Sequence, residues 1–223
     1  MAKLPRAPDL DRLRTTEPSL ITLASDQALQ RIYQRGGAYP TLWNTLRHYG
    51  PLSRFDHHLL DKHAASFQQD RGILYAATDV PTAIAEFFQR NQRRVNRTRH
   101  QPWLVSFKLA SEVCLLDLTD TFPTRVGASM KLMSGPFAHA QAWSRGFYEA
   151  YPEIAGLYYL SSLTNRPTIA LYERANTPAI FPENTRFHRA LVDPLMHKAL
   201  KVVVDEIGYG LVFFLFDLLD VSQ

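Results

Sequence analysis

The segment 71–88 is the sequence feature that most constrains how this chain folds. Residues 72–78 form a short apolar run of the kind that makes a buried strand. Asp79 then marks a turn, and Pro81 suits the first position of a helix, where a backbone N–H is not needed. The pattern therefore predicts a strand at 72–78, a turn, and a helix over 81–95.

Glu86 is the acidic side chain of that predicted helix. Its neighbours Ala83, Ala85, Phe87 and Phe88 are small or aromatic and are expected to face packing partners. An unpaired charge buried among such groups costs several kcal/mol. We therefore expect a compensating feature, either an arginine that pairs with Glu86 or a cationic transition state that the carboxylate stabilises.

The composition is that of a globular protein of one domain, with or without an appended helical segment. The chain has 223 residues, of which 46% are hydrophobic and 21% charged, and its net charge of +4 suits an anionic ligand without requiring nucleic acid. Its single cysteine, Cys114, excludes a disulfide framework, and a cytoplasmic location is expected. The N-terminus has no apolar segment of a secretory signal, and the apolar tract 210–216 is too short for a membrane span.

Other patterns predict a mixture of helices and strands, which indicates an α+β fold. Strands are expected at 103–109, 113–117, 156–160 and 168–172. Helices are expected at 137–150, 191–207 and 212–219, and a helix or strand over 23–33. Residues 1–20 are expected to form a loose or partly helical arm, and 38–70 irregular structure with one or two short helices.

Two polar segments have residue types that can carry chemistry. The cluster around Asp56, His57 and His58 contains metal-binding types, but it matches no recognised ligand spacing, so we favour a solvated polar loop and expect no metal. The run 89–100 carries five arginines. A solvated face that continues the Glu86 helix is favoured, with a nucleic-acid or protein contact as the alternatives.

Five residues in chain order resemble the RES-domain family, which is named for its Arg, Glu and Ser: Arg31, Arg54, Tyr75, Glu86 and Ser161. Each of them alone is also compatible with an ordinary surface or strand-end position. The family's strand–helix motif is matched by 74–77 and 83–86, and its Gly-x-x-Tyr-x-Ser motif by 156–161. The resemblance runs from about residue 29 to 173, with departures at the 56–69 insertion and in the residues before Arg54.

The resemblance implies an ADP-ribosyltransferase-like mixed β core with flanking helices. We expect an N-terminal arm at 1–22, an RES-like NAD-binding catalytic domain at 23–182, and a helical extension at 183–223 that packs on the same domain but lies outside the resemblance. The resemblance also implies that the protein is the toxin of a toxin–antitoxin pair, degrades NAD⁺ as its substrate and so arrests growth. The implied partner is an Xre-like helix-turn-helix antitoxin that covers the active site.

The residue types suit this chemistry. Glu86 is expected to stabilise the cationic sugar that forms when the nicotinamide–ribose bond breaks, or to bind the ribose hydroxyls. Arg31 and Arg54 are expected to bind the pyrophosphate. Tyr75 is expected to stack on a base or the nicotinamide, and Ser161 to bind the ribose or orient Glu86.

Three functions remain open at this point. The favoured one is NAD⁺ cleavage by a glycohydrolase or phosphorylase, and the next is protein ADP-ribosylation at the same site. The third is a basic binding module that works through the arginines of 90–100 without catalysis. The apolar tract 211–219 is expected to be either a core helix or a surface for a homo-dimer.

Overall fold

The computed structural model of the protein describes residues 5–175 and 180–212. The strands of these ranges are β1 (Leu20–Leu23), β2 (Ala28–Gln34), β3 (Arg47–Gly50), β4 (Phe67–Ala77), β5 (Arg94–Asn96), β6 (Pro102–Lys108), β7 (Val113–Asp117), β8 (Gly156–Leu160), β9 (Pro167–Tyr172), β10 (Phe187–Ala190) and β11 (Gly210–Val212). The α-helices are α1 (Leu10–Thr15), α2 (Val80–Phe88), α3 (Phe122–Arg125), α4 (Lys131–Ser134), α5 (Phe137–Ala150) and α6 (His197–Glu206).

Most of the strands form one mixed sheet with the order β1-β7-β8-β9-β4-β2-β6-β10, and β3 pairs with β4 beside β2. The β7–β8 pair is parallel, because helices α3 to α5 carry the chain across between them, and the other pairs of this sheet are antiparallel. A second sheet pairs β5 with β11 in parallel. The expected α+β fold, a mixed β core with flanking helices, is confirmed.

The large sheet opens between β2 and β4. These strands are joined through one residue pair, Gln30 and Ala77, whereas β2 pairs with β6 along its whole length and β4 pairs with β9 over 73–77. The remaining part of β4 is paired with β3 instead. Side chains of β2 and β4 therefore line a space between two halves of the same sheet.

Helix α2 begins as the sequence predicts, but it ends early. The Asp79 side chain accepts a hydrogen bond from the Thr82 backbone N–H at 2.8 Å, and five residues of the helix are buried in the core. The predicted extent of 81–95 is wrong, because the helix stops at Phe88 and residues 94–96 form β5. The chain turns where the Asn91 N–H donates to the Phe88 carbonyl and the apolar face of the helix has ended.

The strands predicted at 103–109, 113–117, 156–160 and 168–172 are confirmed as β6 to β9, and the helix at 137–150 as α5. Gly156 is required by close packing in the hairpin of β8 and β9. A Cβ atom built on it would lie 2.1 Å from the Ala170 carbonyl oxygen. The glycine of the Gly-x-x-Tyr-x-Ser motif is therefore needed to bring β8 against β9.

From residue 5 onward the N-terminal segment is partly helical, as one of the two expectations has it, and it is packed on the domain instead of forming a loose arm. Leu13 of α1 is fully buried, the Trp143 indole N–H donates to the Pro5 carbonyl at 3.0 Å, and β1 pairs with β7 at the sheet edge. Apolar contacts that no local pattern shows hold this segment on α5.

Two other regions differ from the sequence expectation. Residues 38–70, expected to be irregular with one or two short helices, contain β3, the beginning of β4 and no helix. The stretch from Phe55 to His58 is fully buried instead of solvated. The helix predicted at 191–207 is wrong in its first part, where β10 is followed by a turn and a 3₁₀ segment at Pro194–Met196 before α6 begins. Since β10 belongs to the large sheet, the sheet continues past the boundary expected at residue 182.

The helix predicted at 212–219 lies outside the described residues, apart from Val212, which is in β11. Across 5–175 and 180–212, no helix is both long and apolar enough to cross a membrane.

Candidate active site

A cavity of about 640 Å³ lies in the opening between β2 and β4. Strands β2 and β4, helix α2 and the turn around residues 52–54 supply its walls. The charged side chains that line it are Arg31, Arg47, Arg54, Arg90, Arg99 and Glu86. Five guanidinium groups against one carboxylate make this a site for an anionic ligand.

Glu86 and Ser161 meet at this cavity. The Ser161 hydroxyl donates to Glu86 Oε1 at 2.6 Å, and the Gln89 amide donates to Oε2 at 2.9 Å. Ser161 is itself buried, and its Oγ accepts from the backbone N–H groups of Leu163 and Thr164 at 3.1 and 3.4 Å. Neutral donors therefore fix the direction of the carboxylate, and no arginine of the described residues is hydrogen-bonded to it.

Arg31 is a buried cation with few partners. It is 9% exposed, and neither Nε nor Nη1 has a hydrogen-bond partner within 5–175 and 180–212. Its Nη2 reaches the Thr45 carbonyl at 3.4 Å. Burial, and then the neighbouring charge of Arg47, lower the pKa of Arg31 to about 10. The alternative of a surface arginine is wrong, and the free donors at the cavity wall are suited to an anion.

Arg54 also lines the cavity. Its Nη1 donates to the Gly135 carbonyl at 2.6 Å, and its guanidinium stacks over the Phe137 ring at 4.5 Å. Burial lowers the pKa of Arg54, and the charge of Glu86 opposes that change. The structure thus brings Arg54 to the same cavity as Glu86 and Arg31.

Tyr75 lines the cavity, and its hydroxyl is held by two hydrogen bonds. The hydroxyl donates to Asp56 Oδ1 at 2.8 Å and accepts from the Phe55 N–H at 3.1 Å. Burial, and then the charge of Asp56, raise the pKa of Tyr75 well above its usual value. Tyr75 is therefore a fixed, neutral wall of the site.

Sequence reasoning missed Arg47 and misplaced Asp56. Asp56 is fully buried, and both of its oxygens accept from Arg47 Nη2, at 2.8 and 2.7 Å. The available signal was an acidic residue directly after Arg54-Phe55, but it was interpreted as part of a solvated loop, which is wrong. In the part of the chain that the structure describes, no group of three or more His, Cys, Asp or Glu residues is arranged to hold a metal ion.

The arginine run 89–100 is divided between two roles. Arg90, Arg99 and His100 line the rim of the cavity, and Arg90 stacks on the Phe137 ring at 4.8 Å. Arg97 is buried and donates to the Leu191 carbonyl at 2.8 Å and to other carbonyls of the following turn. The predicted helical continuation is wrong, because α2 stops at Phe88, but the solvated character is confirmed for Arg90, Arg93, Arg94 and Arg99, which are exposed.

Comparisons with known proteins fit this arrangement. No curated protein matches the chain. A chain in the crystal structure of the M. tuberculosis MbcT-MbcA toxin-antitoxin complex is similar in fold, with a TM-score of 0.56 at 13% identity, over 85% of this chain and 94% of that one. The model of the RES domain family matches residues 28–192, which contain all five predicted site residues. The chain belongs to the RES domain family.

Proposed function

We propose that this protein is the toxin of a toxin–antitoxin pair and that it cleaves the nicotinamide–ribose bond of NAD⁺. One observation carries the proposal: the unpartnered donors of buried Arg31 and the Ser161-held carboxylate of Glu86 line the same cavity. A dinucleotide needs this combination, since its pyrophosphate is anionic and its sugar becomes cationic when the nicotinamide leaves. Family membership and the toxin–antitoxin origin of the similar structure support the biological role.

The proposed reaction breaks the bond between C1′ of the ribose and the nicotinamide nitrogen. The bonding electron pair leaves with the nicotinamide, which becomes neutral, and the sugar develops oxocarbenium character. The fixed Glu86 carboxylate stabilises that charge, because it needs little reorganisation during the reaction. Arg31 and Arg54 hold the pyrophosphate, and Tyr75 stacks on a ring of the substrate.

The acceptor that attacks C1′ distinguishes three versions of this chemistry. Water gives a glycohydrolase, inorganic phosphate gives a phosphorylase, and a protein side chain gives an ADP-ribosyltransferase. The same site serves all three. Product analysis with and without phosphate, together with a biotinylated NAD⁺ transfer assay, identifies which acceptor is used.

We propose an antitoxin as the protein partner, of the Xre-like helix-turn-helix type. The exposed side chains of Tyr39 and Leu52 also line the cavity, and the Tyr39 ring stacks on exposed Tyr49 with centroids 6.0 Å apart. Apolar groups at a cavity mouth are suited to a covering protein. Co-expression with the product of a neighbouring reading frame, followed by light scattering, tests this partner and the proposed homo-dimer together.

The central experiment is NAD⁺ consumption by the purified protein with nicotinamide quantified. The wild type is expected to release one nicotinamide per NAD⁺ lost. Glu86→Gln keeps the size and the Ser161 contact but removes the charge, so it should abolish turnover while the protein stays folded. Glu112→Gln, at an exposed turn, is the matched control. Wild-type turnover by Glu86→Gln, or no nicotinamide from the wild type, contradicts the proposal.

A further inference from the structure

We propose that Arg47 is a further phosphate-binding residue of the cavity and that buried Asp56 is the residue that positions it. The inference deepens the proposed function and rests on it for the class of ligand, a nucleotide that carries a pyrophosphate. It adds a third guanidinium to the pyrophosphate site proposed for Arg31 and Arg54.

Arg47 lies in the cavity wall with a fixed guanidinium. Its side chain is 23% exposed and lines the cavity. Nη2 donates to both oxygens of Asp56, and Nη1 donates to the Tyr49 carbonyl. A guanidinium has five N–H groups in one plane, so these contacts set its orientation and still leave donors for a ligand.

Arg31 and Arg47 are close enough for the two positive charges to repel each other. The charge of Arg47 contributes to the lowered pKa of Arg31. Asp56 balances the charge of Arg47, but no carboxylate among the described residues pairs with Arg31, and two of its nitrogens have no hydrogen-bond partner there. A pyrophosphate would supply oxygens to both guanidinium groups and remove the repulsion.

Asp56 is placed to organise this wall without touching the ligand. Its side chain is fully buried, and it accepts from Arg47, from the Tyr75 hydroxyl at 2.8 Å, and from the backbone N–H of Leu52 and of Ser53. One carboxylate thus fixes a cation of the wall, the aromatic ring beside it and the turn that leads to Arg54. Asp56 is therefore a positioning residue.

The test compares the binding of ADP and adenosine by calorimetry, which needs no turnover. Arg47→Gln is expected to lower the affinity for ADP about tenfold or more, because one charge-assisted hydrogen bond is lost. The affinity for adenosine should not change. Arg35→Gln is the matched control, because it removes the same charge from an exposed side chain that stacks on Trp103 outside the cavity. An equal effect on both ligands, no effect, or no ADP binding by the wild type overturns the inference.

The double variant Arg47→Gln/Asp56→Asn separates positioning from folding. Asp56→Asn alone should weaken ADP binding and raise KM for NAD⁺ more than it lowers kcat. In the Arg47→Gln background, the same change should weaken ADP binding clearly less than it does in the wild type, because Arg47 is gone and only the contacts of Asp56 with Tyr75 and the turn before Arg54 remain to be lost. Independent effects of the two changes would overturn the positioning role. If only the double variant folds, its ratio of ADP affinity to adenosine affinity is compared with that of the wild type. A lower ratio supports the role of Arg47, and an unchanged ratio contradicts it. ADP binding that depends on Arg47, with no nicotinamide released from NAD⁺, would leave this inference standing and contradict only the proposed function.

Discussion

The hydroxyl of Ser161 donates a 2.6 Å hydrogen bond to Glu86 across a sequence separation of 75 residues. The bond joins the turn after β8 to helix α2, and it fixes the carboxylate that is proposed to meet the ribose. A hydroxyl that only completes a turn would not need to reach another element, so this contact makes Ser161 a candidate positioning residue.

Ser161→Ala should therefore lower kcat for NAD⁺ cleavage by about tenfold to a hundredfold, because small losses of alignment are costly at a reacting centre. KM should change less, since the phosphate-binding arginines are untouched. Steady-state kinetics of nicotinamide release measures both constants. Ser111→Ala, at an exposed position, serves as the control, and an unchanged kcat for Ser161→Ala would refute the positioning role.

Arg31→Met should stabilise the unliganded protein and lower its affinity for the ligand. The substitution removes a buried charge with two unpartnered nitrogens and keeps most of the side-chain length. The urea midpoint of the free protein should rise, and ADP affinity should fall about tenfold or more. A lower midpoint would show that Arg31 is a structural residue.

Arg97→Met offers the opposite case, because the Arg97 guanidinium donates to the carbonyls of Leu191, Val192 and Asp193. Its removal leaves these acceptors without a buried donor. We expect a loss of at least about 2 kcal/mol in the free energy of unfolding. Equal effects of the two methionine substitutions on stability would contradict the distinction between a ligand-binding and a structural arginine.

Gly156→Ala should destabilise the protein strongly, since the new Cβ atom would lie 2.1 Å from the Ala170 carbonyl oxygen. Backbone on both sides of the contact must move, so a loss of about 3 kcal/mol or more is expected. Gly210→Ala is the control, because its Cβ atom would make an ordinary contact of 3.7 Å with Arg94. Denaturant titrations of both variants measure the difference, and similar midpoints would be the contrary result.

Acidification should lower the stability below about pH 6.5. Burial lowers the pKa of His58 to about 4, although Asp56 raises it while Arg47 and His57 lower it. Burial also lowers the pKa of His57. In the unfolded chain these histidines are protonated near their usual pKa of 6.5, whereas in the folded protein they are protonated only at lower pH. The free energy of unfolding therefore falls as the pH drops from 6.5 toward 4.

Each unit of difference in pKa is worth on the order of 1 kcal/mol, so urea midpoints measured from pH 7 to pH 4 should reveal the slope. His58→Gln should reduce it. Glu173 affects the pH dependence of stability only at lower pH. Burial would raise the pKa of Glu173, but hydrogen bonds from His57, Tyr148 and the Gly72 N–H lower it to about 2, so its contribution disappears between about pH 4.5 and 2. A flat profile above pH 4.5 would contradict the histidine assignment.

The sequence predicted those parts of the fold whose structure is set locally. The strand before Asp79, its capping turn and the start of α2 follow from apolar periodicity and from a side chain that caps its own helix. The strands β6 to β9 and helix α5 were predicted for the same reason. The ordered resemblance also gave the five candidate site residues, which the structure brings to one cavity or, for Ser161, to the Glu86 carboxylate at its wall.

The sequence by itself thus determined the α+β class, the central strand–helix unit and the side chains capable of the chemistry, because helix and strand patterns and side-chain types are local properties. Only the tertiary structure decided that Nε and Nη1 of Arg31 have no partner among the described residues, and that Asp56 is buried beneath Arg47 and Tyr75. It also decided that Arg97 is buried while the other arginines of the run 89–100 are exposed. Burial and pairing depend on segments that are distant in the chain. The local sequence of a polar stretch such as 56–58 therefore does not show whether water or the rest of the protein surrounds it.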